Sequence, residues 1–327
     1  MDNEIYYLKN EQHFFDEFEF KNGYIIKNAK VDYGVVGTPK YDEEGNIINA
    51  ILFCHNFMED YSSISNVSGF REEINVIKED YFIISITSLG FPQSCSPSTS
   101  GLNKDFPNYG IEDLVNFQRQ LLSEKFPNIK KLKGIIGHSM GGFTALGFSI
   151  YYPEYMESVV LLDSSFKSQG YKYVFSNLAN RIIDQCSEYS QNMYDESISR
   201  MLILISQIHY LMSFSSDYLN ELSNDEIDMS IERFADDILF LDIYDIKFCN
   251  DFIISFNLES ELDKIKCKLL IISFNSTNYY IPKFDAIPLH ESVEGSQYLS
   301  FNLIRDSDNK NELIKVIDEI RKFLESV

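Results

Sequence analysis

The segment Gly137–Gly142, which reads GHSMGG, holds the residues of this chain best suited to covalent chemistry. It sets Ser139 between glycines in the pattern G-x-S-x-G, which is typical of a nucleophile elbow. The pattern directly follows an apolar run at 132–136 and precedes apolar residues at helical spacing from Phe143. A sharp turn at this point would expose the Ser139 hydroxyl and direct the Met140 amide toward a developing oxyanion. The segment therefore predicts Ser139 as a nucleophile beside an oxyanion-binding amide.

The loop Cys54–Asp60 follows another apolar run and could complete the oxyanion hole. In a parallel sheet the ends of both strands meet at one edge, so this loop would lie beside Ser139. We expect the second oxyanion amide to come from Asn56 or Phe57, and we assign it to Phe57. His55 in the same loop is more typical of a structural histidine that shapes the loop than of a catalytic one.

These loops need a scaffold, and the chain alternates short apolar runs with amphipathic helical spacing. The alternation predicts an α/β fold, a mostly parallel sheet flanked by helices with right-handed crossovers. Two strand-like runs joined by a turn at 21–23 precede it. The remaining predicted strands lie at 47–54, 81–86, 132–136, 159–162, 269–274 and 297–301.

Between about residues 166 and 250 the pattern contains helices alone, rich in Ser and Asn between the apolar stripes. We interpret residues 166–250 as an inserted helical lid, and residues 1–165 and 251–327 as the core that carries the sheet. The chain ends in a predicted helix with one apolar face, which runs from Leu313 to Leu324.

The composition limits the classes of partner that this chain could bind. The 327 residues carry a net charge of −22, which argues against nucleic acid or an anionic membrane surface as partner. No apolar run approaches the roughly 20 residues of a membrane span. Five scattered cysteines without C-x-x-C spacing and an acidic N-terminus favour a cytoplasmic protein. We expect no cofactor and no metal, and a small-molecule acyl substrate or ligand as partner; formation of a homodimer stays open.

On these residues the chain resembles the α/β-hydrolases of the homoserine O-acetyltransferase-like branch. The resemblance is dense from about residue 28 to 165 and thin beyond. It implies that the serine is acylated by an acyl donor and passes the acyl group to a hydroxyl acceptor or to water. It also implies a Ser–Asp–His triad, in that chain order, under a helical lid. The residues that carry it are 51–60, 87–90, 94–98, 106–107, 111–115, 118, 137–142 and 152–154.

Both triad partners depart from the family pattern. The family acid stands four residues before a proline, and counting back from Pro282 leads to Asn278. An amide can orient an imidazole, but it cannot stabilise an imidazolium by charge. The family histidine belongs in the loop 305–311, where Ser307 is the approximate match and no histidine is present.

Other groups could supply the base. His290 is the nearest histidine in sequence and is retained as an alternative base, although an exposed helical residue is the simpler interpretation. His209 could reach down from the lid, but lid packing is the commoner role. His138 adjoins the nucleophile but should point away from it. His13 lies in the N-terminal region, and nothing in its surroundings suggests a catalytic role. Asp163 stands where some α/β-hydrolases keep their acid, but without a histidine it makes no triad.

Two classes of function remain. The first is an acyltransferase or esterase that works through acyl-Ser139 with a base from an unusual position. The second is a catalytically degenerate relative that keeps the pocket for binding a small molecule or a protein partner. The retained elbow favours the first class, and the missing triad partners favour the second.

Overall fold

The computed structural model describes residues 8–57, 59–65, 80–275, 277–302 and 310–327. Within these residues one eight-stranded sheet has the order β1-β2-β4-β3-β5-β6-β7-β8. The pairs β1–β2 and β2–β4 are antiparallel, and all other neighbours are parallel. The strands are β1 (Lys9–Glu19), β2 (Ile25–Val36), β3 (Ala50–Cys54), β4 (Phe82–Ile86), β5 (Gly134–His138), β6 (Ser158–Leu162), β7 (Lys268–Phe274) and β8 (Gln297–Phe301).

Helices cover both faces of this sheet, which confirms the predicted α/β class. Strands β3, β4 and β6 are buried along their whole length, as strands covered on both faces must be. The α-helices of the described residues are α1 (Ile111–Lys125), α2 (Met140–Tyr151), α3 (Tyr171–Ile183), α4 (Ser187–Ser190), α5 (Glu196–Ser213), α6 (Ser216–Glu221), α7 (Asn224–Ile238), α8 (Ile243–Ser255), α9 (Ala286–Ser292) and α10 (Lys310–Glu325).

Two strand boundaries differ from the prediction. The apolar run from Ile47 enters the sheet only at Ala50, because Asn49 ends the preceding loop. The buried Asn49 side chain accepts a hydrogen bond from the Lys40 amide at 2.8 Å and donates to the Thr38 carbonyl at 3.0 Å. Likewise β5 occupies 134–138 rather than 132–136, so it runs directly into the elbow.

Helices α3 to α8 lie between β6 and β7, where the sequence predicts the lid. They share a hydrophobic cluster of their own, in which Phe175 of α3, Ile205 of α5 and Ile243 of α8 are fully buried. Helix α3 packs on α8 and α5 packs on α7. The exact limits 166–250 stay a prediction. Among the described residues no helix is both long and apolar enough to cross a membrane.

Candidate active site

Ser139 lies between β5 and α2, at the carboxyl edge of the sheet, with φ 54° and ψ −118°. A positive φ is unfavourable for a residue with a Cβ, so this conformation is strained and held by its surroundings. The Ser139 amide donates to the Leu162 carbonyl at 2.9 Å. The Ser139 carbonyl accepts from the Ser164 hydroxyl at 2.6 Å. The neighbouring strand β6 thereby fixes the turn that presents the nucleophile.

Glycine is required where α2 meets the end of β3. A Cβ on Gly141 would lie 2.0 Å from the Cys54 carbonyl oxygen and 2.6 Å from the His55 carbonyl oxygen. On Gly137 a Cβ would lie 2.5 Å from the Gly141 carbonyl oxygen. These contacts leave no room for a side chain, and they bring the elbow directly against the loop that follows β3.

The two expected oxyanion amides differ in their surroundings. Met140 is the first residue of α2, and among the described residues its amide donates to no acceptor, as expected at a helix N-terminus. The Phe57 amide donates to the Asn56 side-chain oxygen at 2.6 Å. A substrate oxyanion would therefore have to displace the Asn56 side chain before the Phe57 amide could bind it. The Met140 amide could bind the oxyanion without such a change.

The His55 side chain links the loop that follows β3 to the loop that follows β4. Its Nδ1 donates to the Asn56 carbonyl at 2.8 Å, and its Nε2 accepts from the Ser88 amide at 2.9 Å. The side chain is 1% exposed, and burial lowers its pKa to about 4. The imidazole is neutral and engaged on both nitrogens, so it shapes the loop and is unavailable as a base.

Tyr280 contacts the nucleophile. The Ser139 hydroxyl donates to the Tyr280 phenolic oxygen at 3.0 Å. Tyr280 is 4% exposed, and burial with the neighbouring Tyr279 raises its pKa well above the ordinary value. A neutral phenol can accept and donate hydrogen bonds, but it is no base on its own near neutral pH.

A buried ion pair lies behind Tyr280. The Lys172 ammonium of α3 is 2.7 Å from Asp285 Oδ1, and it lies 5.2 Å from the centre of the Tyr280 ring. Asp285 also accepts from the Ser165 hydroxyl at 2.7 Å and from the Ile281 amide at 2.8 Å. Burial lowers the pKa of Lys172, while Asp285 opposes that shift. Asp285 thus ties the lid, the end of β6 and the Tyr280 loop together.

A pocket opens beside the oxyanion residues, between Phe57, the loop Gly90–Pro92 and helix α8. Its lining is apolar apart from Asp245. The Cys249 thiol in its wall is 3.6 Å from the Met140 sulfur, which places the pocket next to the elbow. In the described part of the chain, no three His, Cys, Asp or Glu side chains cluster in a way that could hold a metal ion.

Comparison with known proteins decides the family. The model of the alpha/beta hydrolase fold matches residues 49–285, which is most of the chain. The chain belongs to the α/β-hydrolase family. The match begins just before β3 and ends at Asp285, so it includes the elbow, the lid and the Tyr280 loop.

Individual relatives of this α/β-hydrolase place it near acyltransferases. A Methanothermobacter thermautotrophicus protein named "Probable acyltransferase" is 35% identical over 309 residues, 94% of this chain and 95% of that protein. Homoserine O-acetyltransferase of Methanococcus vannielii is 26% identical and covers 82% of this chain, which spans 62% of that protein. The solved acetylester hydrolase of Corynebacterium glutamicum has a TM-score of 0.80 at 18% identity, covering 97% and 95% of the two chains. The first two proteins confirm the resemblance to the homoserine O-acetyltransferase branch. The solved structure confirms the fold alone.

The positions of the family's triad acid and histidine contribute no imidazole or carboxylate here. Asn278 donates through its side-chain amide to the Phe214 carbonyl at 2.6 Å, so it joins its loop to the lid. Ser307 lies outside the described residues. Asp163 accepts from the Phe274 amide at 3.3 Å and holds the ends of β6 and β7 together.

Among the described residues, the Ser139 hydroxyl bonds Tyr280 and no histidine. His290 bonds the Ser296 hydroxyl at 2.8 Å on the helix after the Tyr280 loop. His13 bonds Glu124 at 2.6 Å on the outer strand, and His138 ends β5. His209 packs in the lid, with its ring 4.9 Å from Phe175 and 6.2 Å from Phe57. The His209 ring thus lies against Phe57, a residue of the site.

The residues that the sequence left unnoticed are Tyr280, Lys172 and Asp285. Tyr280 stands two positions after Asn278, so the family's triad position already pointed to the right loop. Lys172 and Asp285 are 113 positions apart, and no local spacing links them. Their pairing depends on how the lid helix packs on the sheet, which a sequence pattern does not reveal.

Proposed function

We propose that this α/β-hydrolase handles acyl groups at Ser139, as an acyltransferase or an esterase acting on a small acyl ester. The acyl donor would be attacked by the Ser139 hydroxyl, and the acyl group would then pass to a hydroxyl acceptor or to water. Met140 supplies the first oxyanion amide, and Phe57 supplies the second once the Asn56 side chain moves aside.

The observation that carries this proposal is the strained elbow. A seryl residue at φ 54° costs about 1–3 kcal/mol, and such strain is concentrated at functional sites. The turn also sets the hydroxyl beside the helix N-terminal amide of Met140, which could bind the oxyanion formed by attack on an ester carbonyl.

The test is covalent labelling by a fluorophosphonate, followed by intact-mass measurement. We expect one adduct on the wild-type protein and none on Ser139→Ala. Ser149→Ala is the matched control, because Ser149 is a buried serine of the same helix whose hydroxyl only bonds the Leu146 carbonyl. It should label like the wild type.

A folded wild-type protein that forms no adduct, while a known esterase labels fully, would contradict the proposal. That outcome would favour the binding role without turnover. Labelling that persists in Ser139→Ala would place the reactive group elsewhere and contradict the proposal equally.

A further inference from the structure

We propose that Tyr280 is a catalytic residue that relays a proton between Ser139 and the leaving group. The proposal rests on the acyl chemistry proposed above and names the group that replaces the family's histidine in it. It also assigns Lys172 and Asp285 as positioning residues for Tyr280.

The direction of the Ser139–Tyr280 hydrogen bond carries the first step. Because Ser139 donates this hydrogen bond, the proton that must leave the nucleophile is already directed at the phenolic oxygen of Tyr280. Among the described residues no acceptor binds the phenolic hydrogen of Tyr280 in return. A buried hydroxyl whose hydrogen is not donated costs free energy in the folded protein. A substrate oxygen could accept that hydrogen bond.

The protons balance over the acylation reaction. The Ser139 oxygen bonds to the acyl carbon while its proton passes to the Tyr280 oxygen. The original phenolic proton of Tyr280 passes to the leaving oxygen of the donor as that oxygen separates from the acyl carbon, so an alcohol departs. Tyr280 is neutral before and after the step.

Transfer to the acceptor runs the same path in reverse. The acceptor hydroxyl, from an alcohol or from water, attacks the acyl carbon and gives its proton to Tyr280. The Tyr280 proton returns to the Ser139 oxygen as the acyl bond to that oxygen breaks. A phenol whose pKa is raised by burial suits this role, because it stays protonated throughout.

The charged pair explains why the phenol is held in place. Asp285 binds the Ile281 amide, one residue after Tyr280, and pairs with Lys172 below the Tyr280 ring. Asp285 thus fixes the Tyr280 loop, and Lys172 packs against the Tyr280 ring. Catalysis requires such fixing, because the phenol must stay within about 3 Å of the nucleophile.

The experiment compares Tyr280→Phe with the wild-type protein on two acetate esters. p-Nitrophenyl acetate releases a phenolate that leaves without a proton, whereas ethyl acetate releases an alkoxide that needs one. We expect Tyr280→Phe to lose about 10²-fold or more in kcat/KM on ethyl acetate, the range of general acid–base catalysis. On p-nitrophenyl acetate we expect a loss smaller by about tenfold or more, because only the acceptor of the Ser139 proton is missing there and the leaving group needs no proton.

Tyr298→Phe is the matched control. It removes a phenol that also hydrogen-bonds a serine, Ser273 at 2.9 Å, but between β7 and β8. The Tyr280→Phe ring keeps its place over Lys172, and its thermal melt serves as the check on folding. The control should match the wild type on both esters.

Several outcomes would overturn the relay. Equal losses on both esters would mean that Tyr280 only supports the fold of the loop. Full activity of Tyr280→Phe with loss in His209→Gln would mean that the lid delivers an imidazole base instead. A wild-type protein that labels at Ser139 but turns over neither ester would contradict the relay and leave the acyl-serine intact, whereas no labelling contradicts the proposed function itself.

Discussion

Lys172 and Asp285 form an ion pair of 2.7 Å with side chains only 3% and 2% exposed. One partner belongs to the lid helix α3, and the other follows the loop that carries Tyr280. Where the family triad would supply an imidazole and a carboxylate, this chain therefore buries a cation and an anion behind a phenol. The pair makes the placement of Tyr280 depend on how the lid packs.

Lys172→Met tests this dependence. The substitution keeps the aliphatic packing but leaves Asp285 buried without a cation, which costs about 3–5 kcal/mol for a broken buried pair. We expect a loss of that size in the free energy of unfolding from urea denaturation. Lys283→Met, at an exposed lysine nearby, is the control and should stay within about 0.5 kcal/mol. A loss below 1 kcal/mol for Lys172→Met would mean that Asp285 is held without Lys172.

Gly141→Ala tests the contact between the elbow and β3. In an ordinary helix this change stabilises by about 0.5–1 kcal/mol, but here the new Cβ would lie 2.0 Å from the Cys54 carbonyl oxygen. We expect a lower melting temperature and loss of Ser139 labelling. Gly110→Ala, where a Cβ meets nothing within 4 Å, should leave both unchanged. A stabilised, labelling Gly141→Ala protein would show that the contact relaxes freely.

The sequence predicted the scaffold well because buried parallel strands leave a strong local signal. The runs that became β4, β6 and β7 are apolar and short, and the structure begins and ends them within one residue of the prediction. β3 was predicted too long because Ile47 belongs to the same apolar run. Only the side-chain bonds of Asn49 show that the strand starts later.

The site could be predicted only in part. G-x-S-x-G is a local pattern, so Ser139 and Met140 could be proposed from spacing. Tyr280 could not, because its role depends on a contact across 141 positions, and tyrosine in a loop is common. The same limit applies to Phe57: its position in the loop was evident, but the Asn56 side chain on its amide was not.

Ser139→Gly tests the strain at the nucleophile. Glycine adopts a positive φ without a steric penalty, whereas Ser139→Ala keeps the Cβ and hence the strain. Both variants lose the hydroxyl that bonds Tyr280, so the comparison isolates the backbone. We expect Ser139→Gly to be more stable than Ser139→Ala by about 1 kcal/mol, after the larger unfolded-state entropy of glycine is subtracted. Equal stability would mean that the turn carries little strain.

Asp245 should make stability depend on pH. Its carboxylate accepts from the Ser98 amide at 2.9 Å and from the Ser98 hydroxyl at 2.6 Å, and so joins α8 to the loop beside the pocket. Burial raises the pKa of Asp245 to about 7, although these hydrogen bonds oppose the shift. The folded protein therefore keeps a proton that the unfolded chain releases near pH 4, so the free energy of unfolding falls as pH rises from about 4 to 7.

Asp245→Asn isolates this contribution, because the amide is neutral at every pH and can still accept from the Ser98 amide. We expect the stability of the variant relative to the wild type to rise by up to about 1.4 kcal/mol per pH unit between pH 4 and 7, and then to level off. Urea denaturation at several pH values measures this difference. In the wild type alone the effect is masked, since His55, whose pKa burial lowers to about 4, raises stability over much of the same range. A difference that does not change with pH would mean that Asp245 is already ionised in the folded protein below pH 4.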